Sequence, residues 1–195
     1  MSRIWIATML PTSPSFHVHP ETGEPGRCRA QLHSCPFSTE DNHFGTKEEA
    51  RSFYEDYASK LTDPNRSVEF HFITDEEETD FTEGDCGILA RAIHRKTGWP
   101  LVLVSPNGTG PIEEIDWDHM AVRAPDGRLI DAVGMSTEAD FREYWGGSIG
   151  VDLTEISGDQ WDTVHSWGQQ FDSSPVKVAN RILKSLASLG LYEGK

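Results

Sequence analysis

Four residues, Ala124-Pro125-Asp126-Gly127, constrain this chain more than any others, because they join two short runs that alternate like strands, Asp118 to Arg123 and Arg128 to Ala132. Proline opening the turn and glycine closing it favour a three-residue loop, a type I turn followed by a left-handed glycine. In that register Ala124 faces Arg128, and Ala121 lies opposite Asp131. Side chains alternate, so His119, Ala121, Leu129 and Asp131 share one face, while Met120, Val122, Ile130 and Ala132 take the other. His119 and Asp131 become diagonal neighbours, about 7–8 Å apart at the backbone and within side-chain reach. A two-residue Asp126-Gly127 turn would slip the register by one and put the pair on opposite faces.

A carboxylate that orients an imidazole needs a group to act on, and Cys86 supplies a candidate. It opens the stretch Cys86-Gly87-Ile88-Leu89-Ala90-Arg91-Ala92-Ile93-His94, whose Leu89, Ala92 and Ile93 form an inward stripe at helical spacing and which Gly98 ends. At the start of a helix, free backbone N–H groups and the positive end of the dipole favour a thiolate, the reactive form of cysteine. The competing reading is a buried structural cysteine. Upstream, Asp75-Glu76-Glu77-Glu78 with Asp80, Glu83 and Asp85 reads as an acidic loop that is either solvated or the rim of a groove selecting a basic substrate. Negative charge so close to a thiol works against a thiolate, so a cationic partner is required. A helix packed over the face with Ala121 and Leu129 would bring Cys86, His119 and Asp131 into line as nucleophile, base and orienting acid.

The order Cys86, His119, Asp131, with Cys86-Gly87 opening a helix, His119 starting one strand and Asp131 ending the next, resembles the transglutaminase-like branch of the papain-like cysteine enzymes over Asp80 to Gly134. The resemblance implies an α+β papain-like fold, with the cysteine's helix packed on a small antiparallel sheet. It also implies attack by Cys86 on an amide or ester carbonyl to give a thioester, released by water or passed to an amine. The chain departs from the pattern in having no Gln or Asn shortly before Cys86 to complete an oxyanion hole. The implied activity is a hydrolase or deamidase acting on a protein or peptide. The alternative is a non-catalytic, zinc-stabilised binding module.

The stretch Pro11 to Gly45 has no sustained hydrophobic period and is rich in turn formers. An irregular segment of that length needs a staple. Cys28, Cys35 and His43 are soft or borderline ligands that suit zinc. Their spacing is wider than that of a zinc finger, and an unliganded loop or a Cys28–Cys35 disulfide are the other readings. Phe16-His17-Val18, then Pro20-x-Thr22-Gly23-x-Pro25-Gly26-x-Cys28-Arg29-Ala30, Cys35-Pro36-Phe37 and His43-Phe44 together resemble a cassette of uncharacterised actinobacterial and phage proteins. That resemblance implies a portable module, favours His17 as a fourth ligand, and implies no activity.

The rest of the chain supplies scaffold. Arg3 to Met9 reads as a first strand. Thr46-Lys47-Glu48-Glu49 reads as a capping box opening a helix with Ala50, Phe53, Tyr54, Tyr57 and Leu61 inward, and Ser67 to Ile73 as a strand. Pro100 to Ser105 is a short apolar run that suggests a buried strand, and Gly150 to Ile156 an edge strand. Helices are expected after Thr137, after Ser157 and from Pro175, with Trp145, Trp161 and Trp167 packing or gating a groove. At 195 residues and 36% hydrophobic, the chain is expected to form one cysteine-enzyme domain over 46–195 behind an irregular segment over 1–45. Its 32 acidic against 17 basic residues, net charge -15, repel phosphate backbones and anionic membranes, so no nucleic acid or membrane partner is expected. No signal peptide or spanning segment is read, and three cysteines suit a reducing compartment, so the expected location is cytoplasmic.

Overall fold

The periodicities of the sequence resolve, among the described residues, into six α-helices and two antiparallel sheets, an α+β arrangement as expected. The computed structural model describes residues 15–19, 22–28, 43–106, 111–164 and 174–193. The strand expected at Arg3 to Met9, Cys35 and Trp167 lie outside them. A small two-stranded sheet pairs β1 (Phe16–Val18) with β2 (Pro25–Arg27). It packs on α1 (Lys47–Thr62), which opens on a complete Thr46/Glu49 capping box.

The main sheet has six strands in the order β3-β7-β6-β5-β4-β8. They are β3 (Val68–Glu69), β4 (Leu101–Ser105), β5 (His119–Arg123), β6 (Leu129–Ile130), β7 (Gly134–Ser136) and β8 (Asp152–Ile156). β4 is apolar at four of its five positions because both of its faces are covered, and all five residues are buried. On one face Leu101, Leu103, Met120, Val122, Ile130 and Met135 meet α3 (Cys86–Thr97) and α6 (Pro175–Ser188). On the other, Val102, Val104, Ala121 and Leu129 meet Phe141 of α4 (Glu138–Gly146), with Trp145 of the same helix packed alongside.

The β5–β6 hairpin has the register of a three-residue loop. Val122 pairs with Ile130 and Arg123 with Leu129, Gly127 adopts φ +92°, and the Ala124 N–H donates to the Arg128 carbonyl at 2.8 Å. Arg128, only 2% exposed, then ties the hairpin to the end of α1. Its guanidinium donates to the carbonyls of Leu61 (2.8 Å) and Asp63 (3.2 Å) and to the Asp126 carboxylate (2.7 Å). A cation there satisfies carbonyls that a helix C-terminus leaves unpaired.

Three expectations are corrected. The cysteine's helix covers the Met120/Val122/Ile130 face, not the face of Ala121 and Leu129, because the bulkier side chains offer more apolar area to bury. The strand expected over Ser67 to Ile73 is confined to Val68–Glu69, after which the chain turns and Phe70, Phe72 and Ile73 drop into the core. The acidic run is no loop: Asp75–Thr82 is a helix, α2, with a capping box in which Thr74 and Glu77 bond reciprocally at 3.2 and 3.1 Å. Acidic side chains in a first turn are favourable to the dipole. Glu77 also pairs with Arg181 of α6 at 2.7 Å.

Candidate functional site

Cys86 is the first residue of α3, and that end of the helix is left open. Asp85 occupies the N-cap position but makes no side-chain capping bond, so its carboxylate does not take up the first-turn N–H groups. Burial first, and then the charge of Asp80, push the Asp85 carboxyl up from its ordinary value. The first turn is pinned from outside by α5 (Gly158–Val164), whose Trp161 indole N–H donates to the Gly87 carbonyl at 3.2 Å. Cys86 is a free thiol, 4% exposed.

His119 starts β5 and is fully buried, with Nε2 3.0 Å from Asp131 Oδ2. Asp131 sits in the tight connection between β6 and β7, where its Oδ1 accepts the backbone N–H groups of Val133 (2.9 Å) and Gly134 (3.1 Å). Oδ2 also accepts the Trp145 indole N–H at 3.2 Å. Four donors therefore fix one carboxylate. Gly134 is required here, because a Cβ would lie 2.2 Å from the Val68 carbonyl where β7 runs against β3. The Trp145 ring stacks on His119, centroids 3.5 Å apart and planes 15° from parallel, screening the pair from water.

Asp131 occupies Nε2, which leaves Nδ1 for the thiol. Nδ1 is buried without a hydrogen bond of ordinary geometry, and Cys86 is close enough to act on the ring. Burial works to lower the His119 pKa. The hydrogen bonds and charges of Asp131 and Cys86 outweigh it and hold the imidazole up at about 9. The ring is thus biased towards the imidazolium, the cationic partner that a thiolate beside acidic residues requires. Although α3 and His119 belong to opposite faces of the sheet, Cys86 at the helix start interacts with His119 at the start of β5.

Beyond Asp131 a cleft of about 180 Å³ opens, lined among others by Glu69, Asp131, Asp140, Tyr144 and Trp145. Its electrostatics are negative. Burial and then the charges of Glu69, Asp131 and Asp75 raise the Glu78 pKa, and burial with Glu78, Asp131 and Glu69 raises that of Tyr144.

Cys86, His119 and Asp131 are therefore brought together, and so are His17, Cys28 and His43, whose donor atoms all lie within 4.8 Å of one another in a group that could hold a metal ion. Cys35, the other half of the disulfide weighed for Cys28, lies outside the described residues. Sequence reasoning did not single out Trp145 as a partner of the His119–Asp131 pair. Its spacing of fourteen residues from Asp131 carries no signal, since the contact depends on α4 folding back over the sheet. No protein-family model matches the chain, and no curated protein or solved structure matches it either.

Proposed function

We propose that the chain is a cysteine-dependent hydrolase or deamidase with a papain-like, transglutaminase-like fold, acting on an amide or isopeptide bond of a protein or peptide. The observation that carries this reading is the buried His119 ring, held at Nε2 by Asp131 and close enough to Cys86, at an uncapped helix start, to interact with it. In the reaction Cys86 Sγ bonds to the carbonyl carbon, and the backbone N–H of Cys86 is one donor for the oxyanion. The C–N bond then breaks as His119 gives its proton to the leaving amine. Water attacks the thioester with His119 taking its proton, the S–C bond breaks, and a carboxylic acid leaves with the thiolate restored. Asp131 keeps the imidazole in the orientation both steps need. With Cys86 4% exposed and Trp145 over His119, side chains must part for a carbonyl to enter.

The negative cleft beside Asp131 selects a basic substrate segment, since a lysine or arginine side chain there relieves the mutual repulsion of Glu69 and Glu78. The net charge of -15 disfavours nucleic acid and anionic membranes as partners. No helix among the described residues is long and apolar enough to cross a membrane. The free thiol of Cys86 suits the reducing cytoplasm as the place of action.

The test is acid-quenched intact-mass analysis after mixing the protein with amide substrates of basic, neutral or acidic peptides. An acyl adduct of the peptide's mass is expected, largest with basic peptides and absent in Cys86→Ala. No adduct and no turnover with any of the three would sink the enzyme reading, and a preference for acidic peptides would sink the substrate class. A second reading, a zinc-stabilised protein-binding module without catalysis, draws on the His17, Cys28 and His43 group. It expects an unreactive Cys86 together with stoichiometric zinc.

A further inference from the structure

The three potential ligands at the N-terminal end come together through backbone pairing. β1 and β2 set His17 opposite Gly26, and the Cys28 N–H donates to the Ser15 carbonyl at 2.8 Å, extending the ladder by one pair. Cys28 stands two residues beyond Gly26, so it lies on the same face as His17 and diagonal to it. On the other side of β1, Phe16 and Phe44 exchange both backbone hydrogen bonds at 2.8 Å. That bridge sets His43 directly opposite His17, again on the same face. The two rings meet edge to face, 5.7 Å between centroids. Gly26, between the ligands on that face, has no side chain to fill the space, and a Cβ there would meet nothing within 4 Å.

We propose that His17, Cys28 and His43 bind a single zinc ion, which staples this small sheet onto α1. Two imidazoles and a thiolate form a borderline-soft donor set with no hard carboxylate in it, which favours zinc over calcium or magnesium. In a tetrahedral zinc site the donor atoms sit roughly 3.3–3.8 Å apart, from bonds of about 2.0–2.3 Å. The three present donors, within 4.8 Å, reach this by drawing in by about an ångström. The fourth position is filled from beyond these three. A two-stranded sheet with three-residue strands is marginal alone. Its contacts to α1 include the Tyr54 ring over Gly23, where a Cβ would lie 2.3 Å from it, and Phe44 on Phe53 at 5.1 Å. Metal binding adds its free energy to the docked state.

The test is cobalt titration of the full-length, chelator-stripped protein, followed by displacement with zinc. One equivalent of Co²⁺ should give tetrahedral d–d bands and a thiolate-to-cobalt charge-transfer band, both removed by zinc. Cys28→Ser should abolish the charge-transfer band, Cys86→Ser should keep it, and His17→Ala and His43→Ala should each weaken uptake at least about tenfold. Zinc should raise the melting temperature of the wild type and not that of Cys28→Ser, whose far-ultraviolet circular dichroism reports whether it is folded. No cobalt uptake by the folded protein, a charge-transfer band that survives Cys28→Ser, or one that Cys86→Ser abolishes would overturn the assignment. The result is independent of the enzyme reading, since metal uptake says nothing of acylation at Cys86.

Discussion

The helices α2 and α3 begin eleven residues apart in sequence, at Thr74 and Asp85, and their N-termini are finished in opposite ways. At α2 every device of a stable helix start is present: the Thr74/Glu77 capping box, four acidic residues in the first turn, and Glu77 paired with Arg181. At α3 the capping position holds a carboxylate that caps nothing, there is no acidic residue in the first turn, and a buried thiol sits at the first position beside an imidazole whose pKa is held up by Asp131 and Cys86. One end spends its N–H groups on its own stability, while the other leaves them available to a developing negative charge. A helix start that leaves its N–H groups open beside a buried thiol is where chemistry is to be sought.

The largest expected effect falls on the open end. Asp131→Asn preserves the shape of the site but removes the charge that favours the imidazolium, and should slow acyl-enzyme formation by about 10²–10⁴-fold, read by rapid-quench mass spectrometry. The amide oxygen can still accept the Val133 and Gly134 N–H groups at the β6–β7 connection, which should keep the variant folded.

A second contrast separates two buried histidines by pH. Burial among Phe53, Tyr57 and Phe72 lowers the His71 pKa to about 4, whereas that of His119 is raised to about 9. His71 is neutral in the folded state, so the unfolded chain binds more protons between about pH 6.5 and 4, and stability falls as pH drops through that window, by up to about 3 kcal/mol. For His119 the sign is reversed: its contribution is complete below about pH 6.5 and is lost as pH rises through about 9. Urea unfolding across this range should show both flanks. His71→Phe should flatten only the acid flank, and His119→Gln only the alkaline one.

The smallest effects test the caps themselves. Thr74→Ala should cost about 1 kcal/mol in thermal unfolding and leave acylation at Cys86 unchanged. Asp85→Ser, which offers α3 the cap it lacks, should gain a few tenths of a kcal/mol while slowing acylation. Equal responses at the two ends would erase the distinction between them.

Much of this was legible in the sequence because turn chemistry is local. Pro125, Asp126 and Gly127 set the hairpin register, and with it the common face of His119 and Asp131 that the pairing of Val122 with Ile130 displays. The choice of face for α3 was not local. It followed from Met120, Val122 and Ile130 together offering more apolar area than Ala121 and Leu129, whereas the hairpin register fixes only which residues share a face. The acidic run was read by its charge, although Thr74 and Glu77 carried the capping pattern. Trp145 and Arg128 act across long separations, on the His119–Asp131 pair and on the end of α1, and no short-range pattern marks either contact. The pairing of His17 with His43 likewise needed the Phe16–Phe44 bridge, which spacing alone does not disclose.

The central claim is that Cys86 is a nucleophile paired with His119 at an open helix start. The most direct test is the rate of iodoacetamide alkylation at Cys86 against pH, read by peptide mass spectrometry in the wild type and in His119→Ala. Alkylation that stays fast below pH 7 in the wild type, and falls by about two orders of magnitude at pH 6 in the variant, is the predicted result. Slow alkylation that rises only in alkaline solution, with the same profile in both proteins, would contradict it.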